Sequence, residues 1–546
     1  MLKLRPKETA SMLTRDGVRL DADIYRPEAG GTFPVLLMRQ PYGRAIASTV
    51  VYAHPTWYAA HGYIVVIQDV RGRGTSEGNF KLFAHEINDG EDTVNWAANL
   101  PGSTGQVGMY GFSYQSMTQL YAAAAKPPAL KTICPAMMAY DLFTDWAYEG
   151  GAFCLQANLG WALQIAAETA RLKGDVVAHQ ALTVAAKNLT FSEAVSAHSE
   201  VLKTLDPDSF YHEWLEHSEP GAYWEQLSPN AYLHDVDLPM LHIGGWFDTF
   251  LRGTMRLCKE MAARSQYRQQ LLVGPWAHLP WGRKVGAIDF GIEAASPCDR
   301  LQIRWFDQFL KGIDTGLLEE PAIALFEMGS NRWRTFDQWP TPNPNPYFLA
   351  STGLACMSDR EGILTPTPHT PHLTPDSLVH DPWRPVPAHG GHAAVPSGPQ
   401  ERSSLDSRTD VLTYTSEPLT EDLPLVGEIT VSIACTADTP SFDLCAILSE
   451  VKPNGSVYNF TQGYIRVPPG QATNPLHMKL QPTCICLMKG NALRLSLSAA
   501  CFPAYPVNAG TGVAADKTRL IDQQVITVTV ISGGDRPSHL LLPVLK

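Results

Sequence analysis

The sequence is poor in the features that mark membrane, secreted and nucleic-acid-binding proteins. No window approaches the roughly 20 uninterrupted apolar residues of a membrane-spanning helix, and the opening segment MLKLRPKETASMLTRDGVRL has no apolar signal-peptide core. Lys and Arg number 42 against 54 Asp and Glu, a formal net charge of −12, whereas nucleic-acid binding needs clustered basic residues. These absences favour a cytoplasmic protein with no membrane and no nucleic-acid partner.

Cysteine and histidine patterns with metal-ligand spacing are also absent. The ten cysteines are scattered over 546 residues without a CxxC pair, so we expect reduced, buried thiols. Five histidines lie in the proline-rich stretch from residue 364 to residue 400, namely His369, His372, His380, His389 and His392. Their spacings match no zinc template. We therefore expect a long connecting loop, no metal and no cofactor.

The chain of 546 residues is longer than one hydrophobic core usually supports. Three kinds of sequence pattern follow one another along it. Buried-strand runs such as FPVLLMR and YIVVIQDV alternate with helical stretches in residues 1–138, the pattern of an α/β unit. Residues 139–235 are helical without a convincing strand, and the α/β pattern returns at 236–316. Residues 317–546 show alternating, β-branched runs typical of a β-sandwich or jelly roll. The helical block is predicted to be an inserted cap.

Ser113 is the candidate nucleophile. The segment VGMYGFSYQSMTQLYAAAA places it between a short apolar strand and an Ala-rich helix, as a strand–turn–helix nucleophile elbow requires. The helix would offer its positive N-terminal end to a developing oxyanion. Gly111 gives the turn room, but the generic GxSxG pattern is not met because Gln stands at position 115.

A serine nucleophile needs a histidine to take its proton and an acid to orient that histidine. In chain order Ser, acid, His, the candidates are Asp248, which ends the strand-like HIGGWFD, and His278, which follows LLVGPWA. Both lie at strand ends, where open α/β sheets place their chemistry. The alternatives are a helix N-cap for Asp248 and a surface or core residue for His278.

Seven motifs together resemble one known group of enzymes. They are RQPYGR around Tyr42, QDVRGRGTSEGNF from Gln68, GFSYQS around Ser113, GGWFD ending at Asp248, GPWAH ending at His278, HDPWRPVPAHGG from His380 and DVLTYTSEPL from Asp410. The group is the cocaine esterase and X-Pro dipeptidyl-peptidase superfamily, which includes α-amino-acid ester hydrolases and glutaryl or cephalosporin acylases. The resemblance covers nearly the whole chain and implies an α/β hydrolase with an inserted helical cap and a C-terminal β jelly roll.

The resemblance also implies residue roles. Ser113 would be the nucleophile, His278 the general base and acid, and Asp248 the orienting carboxylate. The Tyr42 hydroxyl and the backbone N–H of Tyr114 would form the oxyanion hole. The family usually reads GxSYxG, whereas Ser116 takes the place of the last glycine here, a change that we expect to be tolerated. The glycine-rich segment from Asp69 to Gly78 matches no phosphate-binding pattern and is expected to be a structural loop.

Substrate contacts are expected from the cap and from the surroundings of the catalytic acid, at Trp146, Trp161 and Phe250. Aromatic walls suit an apolar or aromatic acyl group.

Relatives that act on amino esters or peptides need carboxylates for a free α-amino group. The cap offers Asp141, Asp145 and Glu149, whose spacing of four would place them on one helix face. A solvated acidic surface is the preferred interpretation of these three.

The expected reaction is therefore cleavage of a small-molecule ester, or an amide, through an acyl-enzyme at Ser113. An acyltransferase with an alcohol or amine acceptor remains an alternative. A silent binding protein is a second alternative, although all three triad candidates are present. The sequence leaves a homodimer open.

Overall fold

The computed structural model describes residues 1–45, 47–189, 197–368, 374–470, 475–533 and 537–545. The strands are β1 (Glu8–Leu13), β2 (Arg19–Tyr25), β3 (Phe33–Gln40), β4 (Ile64–Asp69), β5 (Ser103–Phe112), β6 (Leu130–Ala136), β7 (Tyr148–Glu149), β8 (Ala152–Phe153), β9 (Met240–Phe247), β10 (Gln269–Ala277), β11 (Lys284–Val285), β12 (Ile288–Asp289), β13 (Ile323–Glu327), β14 (Arg332–Phe336), β15 (Asn343–Ser351), β16 (Gly362–Thr365), β17 (Asp376–His380), β18 (Leu412–Ser416), β19 (Leu423–Gly427), β20 (Thr430–Ala437), β21 (Phe442–Val451), β22 (Val457–Val467), β23 (Leu476–Lys479), β24 (Thr483–Leu487), β25 (Ala492–Ser498), β26 (Ile526–Ile531) and β27 (His539–Val544).

The helices are α1 (Pro55–Ala60), α2 (Glu86–Ala98), α3 (Tyr114–Ala124), α4 (Leu155–Leu172), α5 (Val176–Lys187), α6 (Glu200–Leu205), α7 (Phe210–Glu216), α8 (Ala222–Glu225), α9 (Leu251–Arg264), α10 (Cys298–Lys311) and α11 (Ser403–Asp406).

The first sheet has ten strands in the order β1-β2-β4-β3-β5-β6-β9-β10-β13-β14. Its seven central strands, β4 through β13, run parallel, and antiparallel strands close both edges. Side chains alternate between two cores. In β3, Val35 and Leu37 pack in the core that includes α2 and α3, whereas Leu36 and Met38 pack in the core that includes α1 and α10. Burial on both faces explains why these strands read as continuous apolar runs.

The first sheet reaches further along the chain than the expected boundary after residue 316. Strand β13 pairs in parallel with β10, and β14 pairs antiparallel with β13. Residues 323–336 therefore extend the hydrolase sheet, and the first strand of the second large sheet begins at Asn343. The strand-like sequence pattern starts before the second sheet does. The reason is that the β13–β14 hairpin has the same alternation of residues as a sandwich strand.

The region from 139 to 235 lies between β6 and β9 and contains α4 to α8. It is not purely helical, because one π-helical turn (Phe143–Ala147) leads into the two-stranded β7–β8 pair. An aromatic cluster fills its interior and continues into the core beside α2 and α3.

Thirteen further strands form the second large sheet, in the order β17-β26-β20-β27-β15-β16-β18-β25-β21-β22 with β19, β23 and β24 attached. Pairing is antiparallel except between β16 and β18. The strand β26 alternates buried and half-buried residues, and its inward side chains join one core with those of β21 and β25. The described part of this region has one α-helix, the four-residue α11, and one 3₁₀ turn at Leu520–Asp522.

All ten cysteines are free thiols. Over the described ranges, no group of three or more His, Cys, Asp and Glu side chains is arranged to hold a metal ion. His369 and His372 lie outside the described residues. Among the helices described, none combines the length and apolar character needed to cross a bilayer.

Candidate active site

Ser113 occupies a strained turn between β5 and α3. Its φ is 59° and its ψ is −128°, a conformation that non-glycine residues rarely adopt outside functional sites. Its N–H donates to the Ala136 carbonyl at 3.0 Å, which fixes the turn to the neighbouring strand. Gly111 has a φ of 141°, and a Cβ there would lie 2.5 Å from the Gln115 Cβ. The elbow predicted from the sequence is therefore present as geometry.

Ser116, which replaces a glycine of the family pattern, is fully buried under this elbow. Its Oγ accepts the Ala136 N–H at 2.6 Å and lies 2.8 Å from the Gly111 carbonyl oxygen and 2.7 Å from that of Ala136. The hydroxyl therefore links the ends of β5 and β6 and is fully hydrogen bonded. The substitution adds contacts to the elbow rather than obstructing it.

Asp248 and His278 follow adjacent parallel strands. Phe247 of β9 pairs with Ala277 of β10, so the two residues that come next lie side by side. His278 Nδ1 and Asp248 Oδ1 are 2.8 Å apart, with Asp248 fully buried. The second oxygen of Asp248 has no hydrogen-bond partner among the described residues. Its carboxylate is therefore directed at one partner, the imidazole.

Gln481 of the β domain supports the backbone around Asp248. The sequence did not predict this role for Gln481. Its Nε2 donates to the backbone carbonyls of Trp246 at 3.0 Å and Asp248 at 2.9 Å. No local pattern marks it, because the contact joins positions 233 residues apart.

Tyr42 and Tyr114 contribute different groups. Burial raises the pKa of the Tyr42 hydroxyl to about 12, although hydrogen bonding with Trp161 and Ser113 acts in the opposite direction. The phenol is therefore neutral at pH 7 and keeps a proton to donate. The Tyr114 side chain points away, and its hydroxyl donates to Glu86 at 3.0 Å. Its backbone N–H starts α3, where helical N–H groups have no partner within the helix.

One cavity of about 1050 Å³ brings the predicted side chains together. Its wall includes Tyr42, Ser113, His278, Trp146, Trp161 and Phe250. The ring centroids of Trp146 and Trp161 are 5.0 Å apart, and those of Trp146 and Phe250 are 4.7 Å apart. Phe250 also meets the His278 ring edge-on at 5.1 Å. The three aromatic residues therefore form a continuous apolar wall beside the imidazole.

The β domain supplies another part of the wall through residues 392–397 and Gln400. No Asp or Glu is found among the described residues that line the cavity. Its polar lining comes from four glutamines, four hydroxyl side chains and two histidines, with one lysine, Lys284.

The three cap carboxylates do not share a helix face and do not form a solvated surface. The π-helical turn ends at Ala147, and Glu149 already belongs to β7. Asp145 is buried, accepts the Tyr140 and Asp141 N–H groups at 3.1 and 2.8 Å, and is paired with Arg256. The shared helix face and the solvated acidic surface expected from the sequence are therefore both wrong.

Glu149 lies at a junction of the three parts of the chain. It accepts from Arg252 Nη2 at 2.6 Å, from Tyr505 at 2.5 Å and from His392 Nε2 at 2.8 Å. Burial would raise the pKa of Glu149, but Arg252 and His392 hold it well below its usual range. Arg252, His392 and Tyr505 were also missed, since their sequence neighbourhoods carry no sign of a common partner.

Two known protein families match successive parts of the chain. Residues 16–280 match the family described as X-Pro dipeptidyl-peptidase (S15 family), and residues 315–541 match the X-Pro dipeptidyl-peptidase C-terminal non-catalytic domain. The chain belongs to the cocaine esterase and X-Pro dipeptidyl-peptidase superfamily. The resemblance seen in the seven motifs is thereby confirmed.

One curated relative and two solved structures are similar to this chain over nearly its whole length. The cocaine esterase of Rhodococcus sp. (strain MB1 Bresler) is 29% identical over 561 aligned positions. The alignment covers 97% of this chain and 97% of that protein. An aminopeptidase from the marine sediment archaeon Thaumarchaeota archaeon superposes with a TM-score of 0.84 at 21% identity, covering 100% of this chain and 97% of that one. An α-amino acid ester hydrolase superposes with a TM-score of 0.79 at 22% identity, covering 99% and 97%.

The two structural likenesses confirm the predicted fold class, an α/β hydrolase with a cap and a C-terminal β domain. The chain is a serine hydrolase, and its superfamily relatives place it with enzymes that cleave carboxylic esters.

Proposed function

We propose that this hydrolase cleaves small-molecule carboxylic esters with an apolar or aromatic acyl group, through an acyl-enzyme on Ser113. The observation that carries the proposal is the meeting of three elements at one cavity: the strained Ser113 turn, the His278–Asp248 pair and the neutral Tyr42 hydroxyl. Ser113 lines the cavity, where a substrate can reach it, and the His278–Asp248 pair has the geometry of a general base with its orienting acid.

In the first half-reaction, Ser113 Oγ attacks the ester carbonyl while His278 takes the hydroxyl proton. The carbonyl oxygen becomes an oxyanion, which accepts hydrogen bonds from the Tyr42 hydroxyl and the Tyr114 N–H. Asp248 stabilises the imidazolium. The C–O bond then breaks as His278 gives its proton to the departing alkoxide, and the alcohol leaves. Water repeats the sequence on the acyl-enzyme, which releases the carboxylic acid and restores Ser113.

The cavity lining supports an ester without a free α-amino group over an amino ester or peptide. A carboxylate is the usual strong partner of an ammonium group, and the described lining residues include none. Asp145 and Glu149 are occupied by Arg256 and Arg252. The aromatic wall of Trp146, Trp161 and Phe250 suits a flat, apolar acyl group instead.

The test compares wild type with Ser113→Ala on p-nitrophenyl acetate, p-nitrophenyl benzoate and an α-amino acid p-nitrophenyl ester, with fluorophosphonate labelling in parallel. We expect the wild type to prefer the benzoate and the variant to lose turnover and labelling together, with its thermal midpoint retained. A folded wild type that neither labels nor turns over contradicts the proposal. Release of p-nitrophenol only when an alcohol or amine acceptor is present would instead indicate an acyltransferase.

A further inference from the structure

The indole N–H of Trp161 binds the candidate oxyanion-hole hydroxyl. Trp161 belongs to cap helix α4, yet its Nε1 donates to Tyr42 Oη at 3.2 Å. The sequence suggested only a substrate wall for this residue. A phenylalanine would serve a wall equally well, whereas the N–H contact needs an indole at this position.

The chemistry of the two groups fixes where the Tyr42 proton can point. An indole N–H donates only, whereas a phenolic hydroxyl has one proton and two acceptor lone pairs. When Trp161 fills one lone pair, the Tyr42 proton must point elsewhere. Tyr42 and Ser113 line the same cavity, Ser113 lowers the pKa of the Tyr42 hydroxyl, and the oxyanion forms beside the Ser113 Oγ. The indole contact therefore leaves the phenolic proton for the side on which the negative charge develops.

A residue of the hydrolase domain holds helix α4 in the position that allows the Trp161–Tyr42 contact. Trp161, Ile165 and Thr169 recur every four residues and so share one face of the helix. Arg73, in the glycine-rich loop after β4, is fully buried and directs its guanidinium at this face, 3.4 Å from the Ile165 carbonyl and 3.2 Å from the Thr169 hydroxyl oxygen. The same guanidinium lies 4.0 Å above the Phe80 ring. The loop expected to be structural thus anchors the cap helix that carries Trp161.

We propose that Trp161 is a positioning residue of the reaction: its N–H orients the Tyr42 hydroxyl so that the phenolic proton faces the oxyanion. The inference rests on the proposed function, in which Tyr42 donates to the oxyanion. It makes the cap a part of the catalytic machinery rather than a wall alone, because the oxyanion hole is complete only when α4 is docked.

The decisive experiment is a double-mutant cycle with Trp161→Phe and Tyr42→Phe on p-nitrophenyl benzoate. Removing the Tyr42 hydroxyl is expected to lower kcat about 100-fold, the usual effect of losing one oxyanion donor. Trp161→Phe keeps an aromatic wall and is expected to lower kcat about tenfold, the factor that corresponds to one hydrogen bond. In the Tyr42→Phe background, Trp161→Phe should cause no further loss, because no hydroxyl remains to be oriented.

Two more readouts separate positioning from a change of pocket shape. Phenylboronic acid forms an anionic tetrahedral adduct with a reactive serine, so its inhibition constant should rise in Trp161→Phe by the same factor as kcat falls, with KM little changed. The matched control is Trp224→Phe, a buried cap indole that donates to the His217 carbonyl at 2.8 Å and does not line the cavity. It should retain wild-type kcat.

Multiplicative losses in the double variant, or a Trp161→Phe effect confined to KM, would overturn the positioning role while leaving the proposed function intact. A wild type without labelling or turnover would overturn both.

Discussion

Two histidine–carboxylate pairs border the same cavity, and they have the same separation. His278 Nδ1 lies 2.8 Å from Asp248 Oδ1, and His392 Nε2 lies 2.8 Å from Glu149 Oε2. The His278 side chain is 29% exposed, whereas that of His392 is 2% exposed. The imidazole of one pair can therefore meet a substrate, and the other is almost enclosed by protein.

The carboxylates differ more than the histidines do. Glu149 is shared with the Arg252 guanidinium and the Tyr505 hydroxyl, so its charge is already neutralised without His392. The second oxygen of Asp248 has no partner in the described part of the chain, so its charge acts on His278 alone. The comparison teaches that the nitrogen–oxygen distance does not distinguish the proposed catalytic pair from the enclosed one. What distinguishes them is whether another cation already neutralises the carboxylate.

Asp248→Asn should break the first pair with the largest effect on activity. An amide in this position can donate to Nδ1 and hold the wrong histidine tautomer, and it cannot stabilise the imidazolium. We expect kcat/KM for p-nitrophenyl benzoate to fall about 10⁴-fold. Circular dichroism should show an unchanged fold. A loss of less than tenfold would mean that Asp248 does not orient His278.

Glu149→Gln should break the second pair with its main effect on stability. The change leaves the Arg252 guanidinium, whose side chain is 22% exposed, without its carboxylate. Breaking a fully buried pair costs about 3–5 kcal/mol, so a smaller loss of stability is expected here. We expect a clearly lower calorimetric midpoint at pH 7 and retained turnover per folded molecule. The matched control is Glu225→Gln, an exposed cap residue, which should leave the midpoint unchanged. Lost turnover in a fully folded Glu149→Gln protein would show that the second pair is catalytic too.

The same variant has a characteristic pH dependence. The pKa of Glu149 lies below its ordinary value of 4.5 in the folded protein, so the unfolded chain binds this proton first on acidification. The stabilisation is therefore complete above pH 4.5 and is lost as the pH falls through the folded-state pKa. The difference in midpoint between wild type and Glu149→Gln should be constant from pH 8 to pH 5 and should narrow at lower pH. A difference that grows on acidification would contradict this assignment.

His392→Gln should have the smallest effect. A glutamine amide can still donate to Glu149, and the Arg252 pair stays intact, so the midpoint should fall by less than in Glu149→Gln. Because His392 lines the cavity, KM for p-nitrophenyl benzoate should change a few-fold. The same substitution at His278 should abolish turnover, and equal losses at the two positions would remove the distinction between the pairs.

Local patterns predicted the active-site candidates better than they predicted the structural network. Ser113, Asp248 and His278 each follow a buried strand, and parallel strands bring their carboxyl ends to one edge of a sheet. The sequence was therefore sufficient to predict that these three side chains lie near one another. Strand alternation could not show that β13 and β14 belong to the first sheet, because pairing partners are chosen by distant contacts.

For Asp141, Asp145 and Glu149 of the cap, the local sequence pattern predicted the wrong structure. Their spacing of four predicted a helix face, but the chain turns once as a π-helix and then extends. The burial of Glu149 depends on Arg252, His392 and Tyr505, which lie 103, 243 and 356 residues away. No window of the sequence contains that information.

The second sheet has a consequence for the order in which the enzyme becomes active. Strand β27 pairs with β15, β19 and β20, and the loop that completes the cavity wall is held in the same domain. During synthesis, the nucleophile elbow and the His278–Asp248 pair leave the ribosome more than two hundred residues before β27 does. The nascent chain therefore carries these side chains before the second sheet, whose domain contributes residues 392–397 and Gln400 to the cavity wall, can be complete.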